Sequence, residues 1–400
     1  MGAPPTSLLL TSMYPPRTGG VARMLGRLAE RFPEESLLVL APGTPFGERL
    51  LNPHRAGRGR RALLGLLRRL SPSLARTASY LPATLSAIRF WPVAVLQCGH
   101  LQLGATTWLA SRLRSIPYVV YAYGDELLPS RGRVRSRLGA RLSRAVLRRA
   151  AAVFVISEYT RGLVLRRGVP EDRIFKIPMG AEVAAPAAPG VGEQVLVRLG
   201  ATGRPLILSV GRLIRQKGHD QLLRALPPVL AEFQRAVCVI VGQGPEEAAL
   251  RSLARTLGIG GRVRITGFVS DEDLAALYEA CDLFVLLSRD LSRERKVEGF
   301  GLVFLEAAAR GKPAVGGATG GVPDAVLDGV TGRLVDPDEP IQATRAILEL
   351  LRDKDSAHSM GAAARKRVLE ELNWSRSADQ VMSVVQRIAS EGTSGRRRNG

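Results

Sequence analysis

Cysteine is scarce, with three in 400 residues, at positions 98, 238 and 281. So few and so scattered, they exclude a disulfide framework and a Cys-based zinc site, and they read as small buried side chains of a reducing compartment. Aromatic residues make up only 5%, which leaves no aromatic platform for nucleic acid, and no recognition motif supplies one. Lysine is also rare, six against 51 arginines; a GC-rich genome produces that ratio without functional cause. No uncharged apolar run approaches the roughly 18–20 residues that span a bilayer. The N-terminus lacks a basic n-region and has a short apolar run, so no signal peptide is expected. No His, Cys and Asp residues show metal-ligand spacing, and neither a metal nor a cofactor is expected. The expected location is the cytoplasm, or the inner face of the plasma membrane as a peripheral protein.

What is present describes a globular protein: 46% hydrophobic and 23% charged residues, and length for two or three domains. Charge is unevenly placed. Residues 1–190 carry 28 Lys and Arg against 10 Asp and Glu, whereas residues 191–400 carry 29 against 26. Halves so different face different partners. The basic half holds a short amphipathic stretch, Arg58–Leu70, and eight arginines within Arg131–Arg149. Both suit an anionic membrane surface; a helix with its charged face in water accounts for them as well.

Short apolar runs alternate with helical patterns throughout. Strands are expected at Ser7–Thr11, Leu37–Leu40, Val93–Gln97, Tyr118–Tyr123, Val153–Ile156 and Ile174–Ile177, then at Leu206–Val210, Val237–Val241, Val263–Thr266, Leu283–Leu287 and Pro313–Gly316. Near-continuous apolar strands separated by helices indicate parallel sheets covered on both faces. The expected fold is α/β, two doubly wound parallel-sheet domains of Rossmann type. The Ala-, Pro- and Gly-rich stretch Ala184–Gly203 reads as a connection. The divisions are a domain at 1–190, a linker at 191–203, a domain at 204–375, a helix at 376–391 packing back on the first domain, and a disordered tail at 392–400.

Three segments carry chemistry. In Val297–Glu306, Glu298 sits in a loop at a helix start and Glu306 lies one to two turns inside it. Its glycines let backbone approach a ligand, and free N–H groups at the helix start favour an anion. One patch then binds phosphate and, through two carboxylates, hydroxyls; an acidic helix start matching the helix dipole explains the pair equally. In Ser209–Asp220, Arg212 and Lys217 follow a strand and reach toward the same strand ends, as a diphosphate clamp or as a solvated turn. Tyr14–Gly20 ends in Gly19-Gly20 after the first strand and suits close approach to phosphate or sugar. Neither it nor Gly242-Gln243-Gly244 has dinucleotide-fingerprint spacing, which argues against a nicotinamide enzyme. His219 and His54 read as surface residues.

Together the segments resemble a family 4 glycosyltransferase. The resemblance rests on Gly-Arg-Leu with Lys-Gly at 211–218, Val-Arg-Ile-Thr-Gly-Phe-Val at 263–269, Cys-Asp-Leu-Phe-Val-Leu-Leu-Ser at 281–288, the two glutamates, Gly-Lys-Pro-Ala-Val at 311–315, Gly-Gly-Val-Pro-Asp at 320–324 and Asp-Gly-Val-Thr-Gly at 328–332. It covers 204–340 densely and the N-terminal half thinly, and Val297–Ala307 with Gly316–Val326 is similar to the subgroup containing phosphatidylinositol mannosyltransferases. The resemblance implies the GT-B fold, with two domains facing a central cleft. It implies a nucleotide-sugar donor in the second domain, an acceptor in the first, and transfer with retention of anomeric configuration, usually without a metal.

By the same resemblance, Arg212 and Lys217 match the diphosphate pair, Glu306 the ribose carboxylate and Glu298 the carboxylate on the transferred sugar. Gly211 belongs to the same donor loop. Gly299, Phe300, Gly301 and Leu302 supply backbone N–H groups; Thr266, Gly267, Phe268 and Val269 fall at the base; Gly19 and Gly20 match the N-terminal loop that closes on the donor. Many relatives carry a functional His after the strand equivalent to Tyr118–Tyr123. Here that segment reads Tyr-Ala-Tyr-Gly-Asp-Glu-Leu, and Asp125 and His100 are the candidate replacements. The expected function is a retaining nucleotide-sugar glycosyltransferase acting on a lipid-linked or cell-envelope acceptor, with an anionic membrane surface and no nucleic acid among its partners. A nucleotide-sugar epimerase on the same architecture and a catalytically silent sugar-nucleotide binding protein are the alternatives.

Overall fold

The structure is a computed structural model describing residues 6–17, 19–45, 47, 72–128, 134–182 and 190–398. It has two compact units: Met1–Pro178 with Trp374–Gly400, and Met179–Asn373.

In the first unit, six parallel strands, β1 (Ser7–Leu10), β2 (Leu37–Leu40), β3 (Val95–Cys98), β4 (Tyr118–Ala122), β5 (Ala152–Val155) and β6 (Ile174–Lys176), lie in the order β2-β1-β3-β4-β5-β6. The central strands β1, β3, β4 and β5 are buried along their whole length, as expected of a sheet covered on both faces. Direction along the sheet reverses between β1 and β3. The loop of Tyr14–Gly20 and the residues after Cys98 therefore leave the sheet at its crevice.

In the second unit β7 (Leu206–Val210), β8 (Val237–Val241), β9 (Val263–Gly267), β10 (Leu283–Leu286), β11 (Ala314–Gly317) and β12 (Gly332–Val335) are again parallel, in the order β12-β11-β10-β7-β8-β9. The core beneath them joins Ile207, Cys238, Ile240, Leu283 and Val285 to Leu222, Leu226 and Ile347 from the helices His219–Glu232 and Pro340–Arg352. Here the sheet reverses between β7 and β10. The segments carrying Arg212 with Lys217, and Glu298, follow those two strands. All three cysteines are buried and unpaired.

Three expectations are corrected. The linker at 191–203 contains a helix, Val191–Leu199, built into the second unit. Arg198 pairs with Asp273 at 2.7 Å, and Leu199 O accepts from Arg264 Nε at 3.1 Å. The division falls at Pro178, not near 190. Apolar residues at 191, 195, 196 and 199 carry a helical period that the preceding Ala- and Pro-rich run obscured. The final helix runs Trp374–Arg398, through most of the stretch expected to be disordered. It belongs to the first unit: Ala378 and Val381 are fully buried, Ser377 Oγ donates to Pro178 O at 2.8 Å, and the Arg387 guanidinium lies 5.0 Å from the centre of the Phe175 ring. Strand β12 was missed. It is a four-residue edge strand with an arginine inside, and its two middle residues are only half buried, so it lacks the apolar run that marks its neighbours.

Candidate active site

The chain leaves β7 through Gly211 and Arg212, makes one 3-10 turn at Arg215–Lys217, and enters the helix His219–Glu232. Gly218 stands at the junction with φ +67. A Cβ there would overlap the carbonyl oxygen of Leu287, at the end of β10. Glycine therefore serves twice, for the left-handed backbone and for the close approach. That approach carries Lys217 across the crevice. Its ammonium pairs with the Glu298 carboxylate, with 18% and 12% of the two side chains exposed. Ser288 Oγ donates to the same carboxylate oxygen at 3.4 Å, and the Glu298 carbonyl accepts from Gly321 N at 2.8 Å. Arg212 is exposed and makes no ion pair with a described residue.

Arg289 is the residue that the sequence reading missed. It is 6% exposed, donates to Asp220 through its guanidinium and lies 3.4 Å from Asp338. Its backbone N–H bonds to Gln216 O at 2.7 Å, tying the loop after β10 to the turn bearing Lys217. A buried arginine paired with acids from two other segments is a brace, and only the three-dimensional structure brings those segments together. Glu306 lies one turn inside the seven-residue helix Leu302–Ala308, half buried, and accepts from Tyr278 OH at 2.9 Å. Gly301 caps that helix; Phe300 is buried at 1% exposure and anchors the loop from below, while Gly299 and Leu302 are half buried.

The loop after β8 packs against the loop after β7. Gly211 N bonds to Val241 O, and Leu213 N to Gln243 O. A Cβ on Gly242 would overlap the Gly211 carbonyl, so the glycines of Gly242-Gln243-Gly244 serve loop packing. Gly242 N also bonds to Gly267 O, which places Thr266–Val269 beside this wall. Phe268 is 78% exposed there.

His219 is not a surface residue. It is 2% exposed, with Nδ1 3.2 Å from Ser209 Oγ. Burial, reinforced by Lys217, lowers its pKa to about 4, so it is neutral at pH 7. His54 and the stretch Arg58–Leu70 lie outside the described residues.

In the first unit His100 follows β3. Its Nδ1 accepts from Gln102 N at 3.2 Å, and its ring stacks on Tyr123, with centres 6.0 Å apart and planes 25° apart. Burial, with Arg76 nearby, lowers its pKa to about 4. The neutral ring then carries its proton on Nε2 and is a hydrogen-bond donor rather than a base. Asp125 is exposed. Its neighbour Glu126 turns inward to accept from Tyr123 N at 2.6 Å, and burial raises its pKa. Gly19 caps the helix Gly20–Ala29 with open space around its Cα, and Gly20 is exposed. The structure thus joins Gly211, Lys217, Glu298 and the Gly299–Leu302 loop at one switch point, with the segment ending at Val269 on the wall beside it, and brings His100 and the Asp125 turn together through Tyr123.

Residues 197–367 match the family described as glycosyl transferases group 1, and residues 19–180 match the glycosyl transferase 4-like domain. A GDP-mannose-dependent alpha-(1-6)-phosphatidylinositol monomannoside mannosyltransferase of Mycobacterium tuberculosis is 30% identical over 382 residues, spanning 92% of this chain and 94% of that protein. The chain belongs to the group 1 glycosyltransferases. A GDP-mannose-dependent monoacylated alpha-(1-6)-phosphatidylinositol monomannoside mannosyltransferase of Corynebacterium glutamicum is 27% identical, with coverage of 96% and 99%. Among solved structures, Anabaena HepE in complex with UDP superposes with a TM-score of 0.75 at 20% identity, covering 96% of this chain and all of that one. A glycosyltransferase from Rickettsia africae gives 0.75 at 17% identity, with coverage of 96% and 98%. Those two likenesses establish the GT-B fold.

This glycosyltransferase therefore uses a nucleotide sugar. Its loop geometry also makes a test independent of substrate identity. Gly218→Ala forces either the φ of +67 or the Leu287 contact to change. The expected cost is at least about 1–3 kcal/mol, read as a lowered midpoint in urea unfolding, with donor binding weakened beyond that of Gly258→Ala, another positive-φ glycine with open space around it. Equal effects from the two substitutions would remove Gly218 from its assigned part.

Proposed function

We propose that this glycosyltransferase moves mannose from GDP-mannose, with retention of configuration, to a lipid-linked or cell-envelope acceptor held by the first unit. The observation that carries this reading is the pairing of Lys217 with Glu298 at the second unit's switch point, in the loop that leads into the helix of Glu306. The donor and acceptor classes are those in the names of the mycobacterial and corynebacterial relatives, whose whole length the chain nearly spans. Neither an epimerase nor a silent binding protein has support among those relatives.

In this reading the bond from the anomeric carbon to the diphosphate breaks, the acceptor oxygen bonds to that carbon in its place, and the acceptor hydroxyl's proton passes to the departing diphosphate. Negative charge grows on the departing diphosphate. Arg212, exposed and without a carboxylate partner among the described residues, and Lys217 offset it, aided by N–H groups of Gly299–Leu302. The helix behind those groups has only two turns, so the cations carry most of the load. Glu306 holds the ribose hydroxyls and Glu298 the sugar hydroxyls; Gly211 keeps the donor loop slim, and Thr266–Val269 borders the base. Gly19 and Gly20 keep the match to the family's N-terminal glycine loop. His100 offers Nε2–H to the acceptor, and Asp125 takes the place of the histidine found in many relatives.

Calorimetry tests the division of roles. Glu306→Ala should weaken binding of bare GDP, whereas Glu298→Ala should weaken GDP-mannose and leave GDP close to wild type. Each loss is about 1.5–3 kcal/mol for a charge-assisted bond. Equal effects of both glutamates on bare GDP would overturn the assignment, and a wild type preferring UDP-sugars would overturn the donor.

Metal independence is part of the proposal. Three Asp-x-Asp sequences occur, but Asp273 pairs with Arg198, Asp336 accepts from Asp338 N, Asp338 faces Arg289, and Asp353 accepts from Ser356 N. Turnover is expected to persist in excess EDTA. An absolute requirement for Mg²⁺ or Mn²⁺ would show that these cations do not suffice for the diphosphate.

The partner surface proposed for the first unit is an anionic bilayer. Among the described residues no helix is long and apolar enough to cross a membrane. The helix Val134–Arg149 turns Arg141, Arg144, Ala145, Arg148 and Arg149 toward an open groove of about 460 Å³. None of these arginines has a carboxylate partner among the described residues, and each contributes about 1 kcal/mol near a negative surface. The protein should sediment with phosphatidylglycerol vesicles at low salt, ignore phosphatidylcholine, and be released at high salt. Arg141→Glu with Arg144→Glu should reduce sedimentation and leave GDP binding intact. No sedimentation of the wild type would make the acceptor a soluble one.

A further inference from the structure

The donor loop rests on a buried side chain whose hydrogen bonding is incomplete. His219 opens the helix after Gly218, and its ring lies between β7 and the Gly211–Arg212 backbone. Nδ1 is 3.2 Å from Ser209 Oγ, and Ser209 is itself fully buried. Nε2 is buried and has no hydrogen-bond partner. It faces the donor loop: a Cβ built on Gly211 would lie 3.6 Å from Nε2 and 3.7 Å from Cγ and Cδ of Lys217. The imidazole and the lysine stem thus both approach the same glycine.

The tautomer follows from these surroundings. Backbone groups of Arg212 and Gly211 favour a proton on the ring, which marks them as acceptors for Nε2–H, although neither reaches hydrogen-bond geometry. Ser209 then donates to Nδ1. The charged groups near the ring are Lys217 and Asp220, and burial, reinforced by Lys217, outweighs Asp220 in keeping it neutral. An N–H held in a buried place without an acceptor disfavours the loop position it faces. A small movement of the Gly211–Arg212 segment completes the bond.

We infer that His219 is a positioning residue for donor binding, whose Nε2–H is satisfied when the Gly211–Arg212 segment settles on the donor diphosphate. Ser209 fixes the tautomer, His219 fixes the segment, and the segment aims Arg212. The histidine touches no substrate atom. The inference rests on the donor-site reading above and adds a residue to it that carries no charge at neutral pH.

The experiment compares three substitutions by calorimetry with bare GDP and by steady-state kinetics with GDP-mannose. His219→Gln keeps an N–H near the Nε2 position. His219→Asn keeps a polar group only near Nδ1, and His219→Leu keeps neither. The leucine and asparagine variants should bind GDP about five- to tenfold more weakly, the loss of one hydrogen bond. KM for the donor should rise by the same factor, with kcat and the acceptor KM near wild type. The glutamine variant should return GDP binding to within about twofold. Nitrogen-15 shifts of His219 should report protonation at Nε2 with and without GDP, moving on GDP addition as the bond forms. Should the leucine variant fail to fold, glutamine against asparagine decides. Equal loss in those two, unchanged binding in all three, or a proton on Nδ1 would overturn the inference. A wild type that binds no nucleoside diphosphate would instead overturn the donor-site reading on which it stands.

Discussion

A single close approach organises the second unit. Gly218 lies against the carbonyl of Leu287 with no room for a side chain between them, so the turn after β7 and the end of β10 act as one piece of backbone. These are the two strands at which the sheet reverses direction, and a crevice opens at their C-terminal ends. Lys217 precedes the contact and Glu298 follows it, and the charges meet because the backbones do. Arg289 secures the arrangement from the side through Asp220 and Asp338. The loop after β8 closes the other flank through Gly211 and Leu213.

This explains how the site keeps opposite charges in a partly buried place. An ammonium or carboxylate alone there would be costly, and each offsets the other. A donor that brings both phosphates and hydroxyls can take over the two partners together. In the function proposed above, the phosphates take the place of Glu298 beside Lys217, and the hydroxyls that of Lys217 beside Glu298. A bare phosphate or a free sugar would satisfy only one. On that proposal the charge pair selects a molecule that carries both groups. The first unit follows a different rule. Burial lowers the pKa of His100 to about 4 and raises that of Glu126, and exposed arginines lie outside, on the face of the helix Val134–Arg149.

Most of the fold was legible in the sequence, because apolar runs such as Val237–Val241 and Leu283–Leu287 are too short for helices and too continuous for exposed strands. That the segments carrying Lys217 and Glu298 meet at neighbouring strand ends was legible too, from glycine beside charge after two apolar runs. What escaped did so for physical reasons. Val191–Leu199 carried a helical period next to a breaker-rich run. Edge strand β12 has no apolar run to show. Arg289 and His219 depend on partners distant along the chain or on burial alone, and a lone polar residue in a sequence carries no sign of either. The sequence shows Asp125 and Glu126 side by side after β4, and only the structure tells them apart: Asp125 is exposed, and Glu126 turns inward to accept from Tyr123 N.

The account stands on Lys217 and Glu298 acting as one unit toward the donor, and a double-mutant cycle measures that directly. GDP-mannose affinity would be determined by calorimetry for the wild type, Lys217→Ala, Glu298→Gln and the double variant. Removing Lys217 alone leaves a carboxylate facing phosphates, and removing Glu298 as well relieves that repulsion. The predicted result is strong non-additivity, with the double variant losing less than the two singles together by more than about 1 kcal/mol. Additive losses, within about 0.3–0.5 kcal/mol, would mean that the two side chains serve the donor separately and would contradict the account.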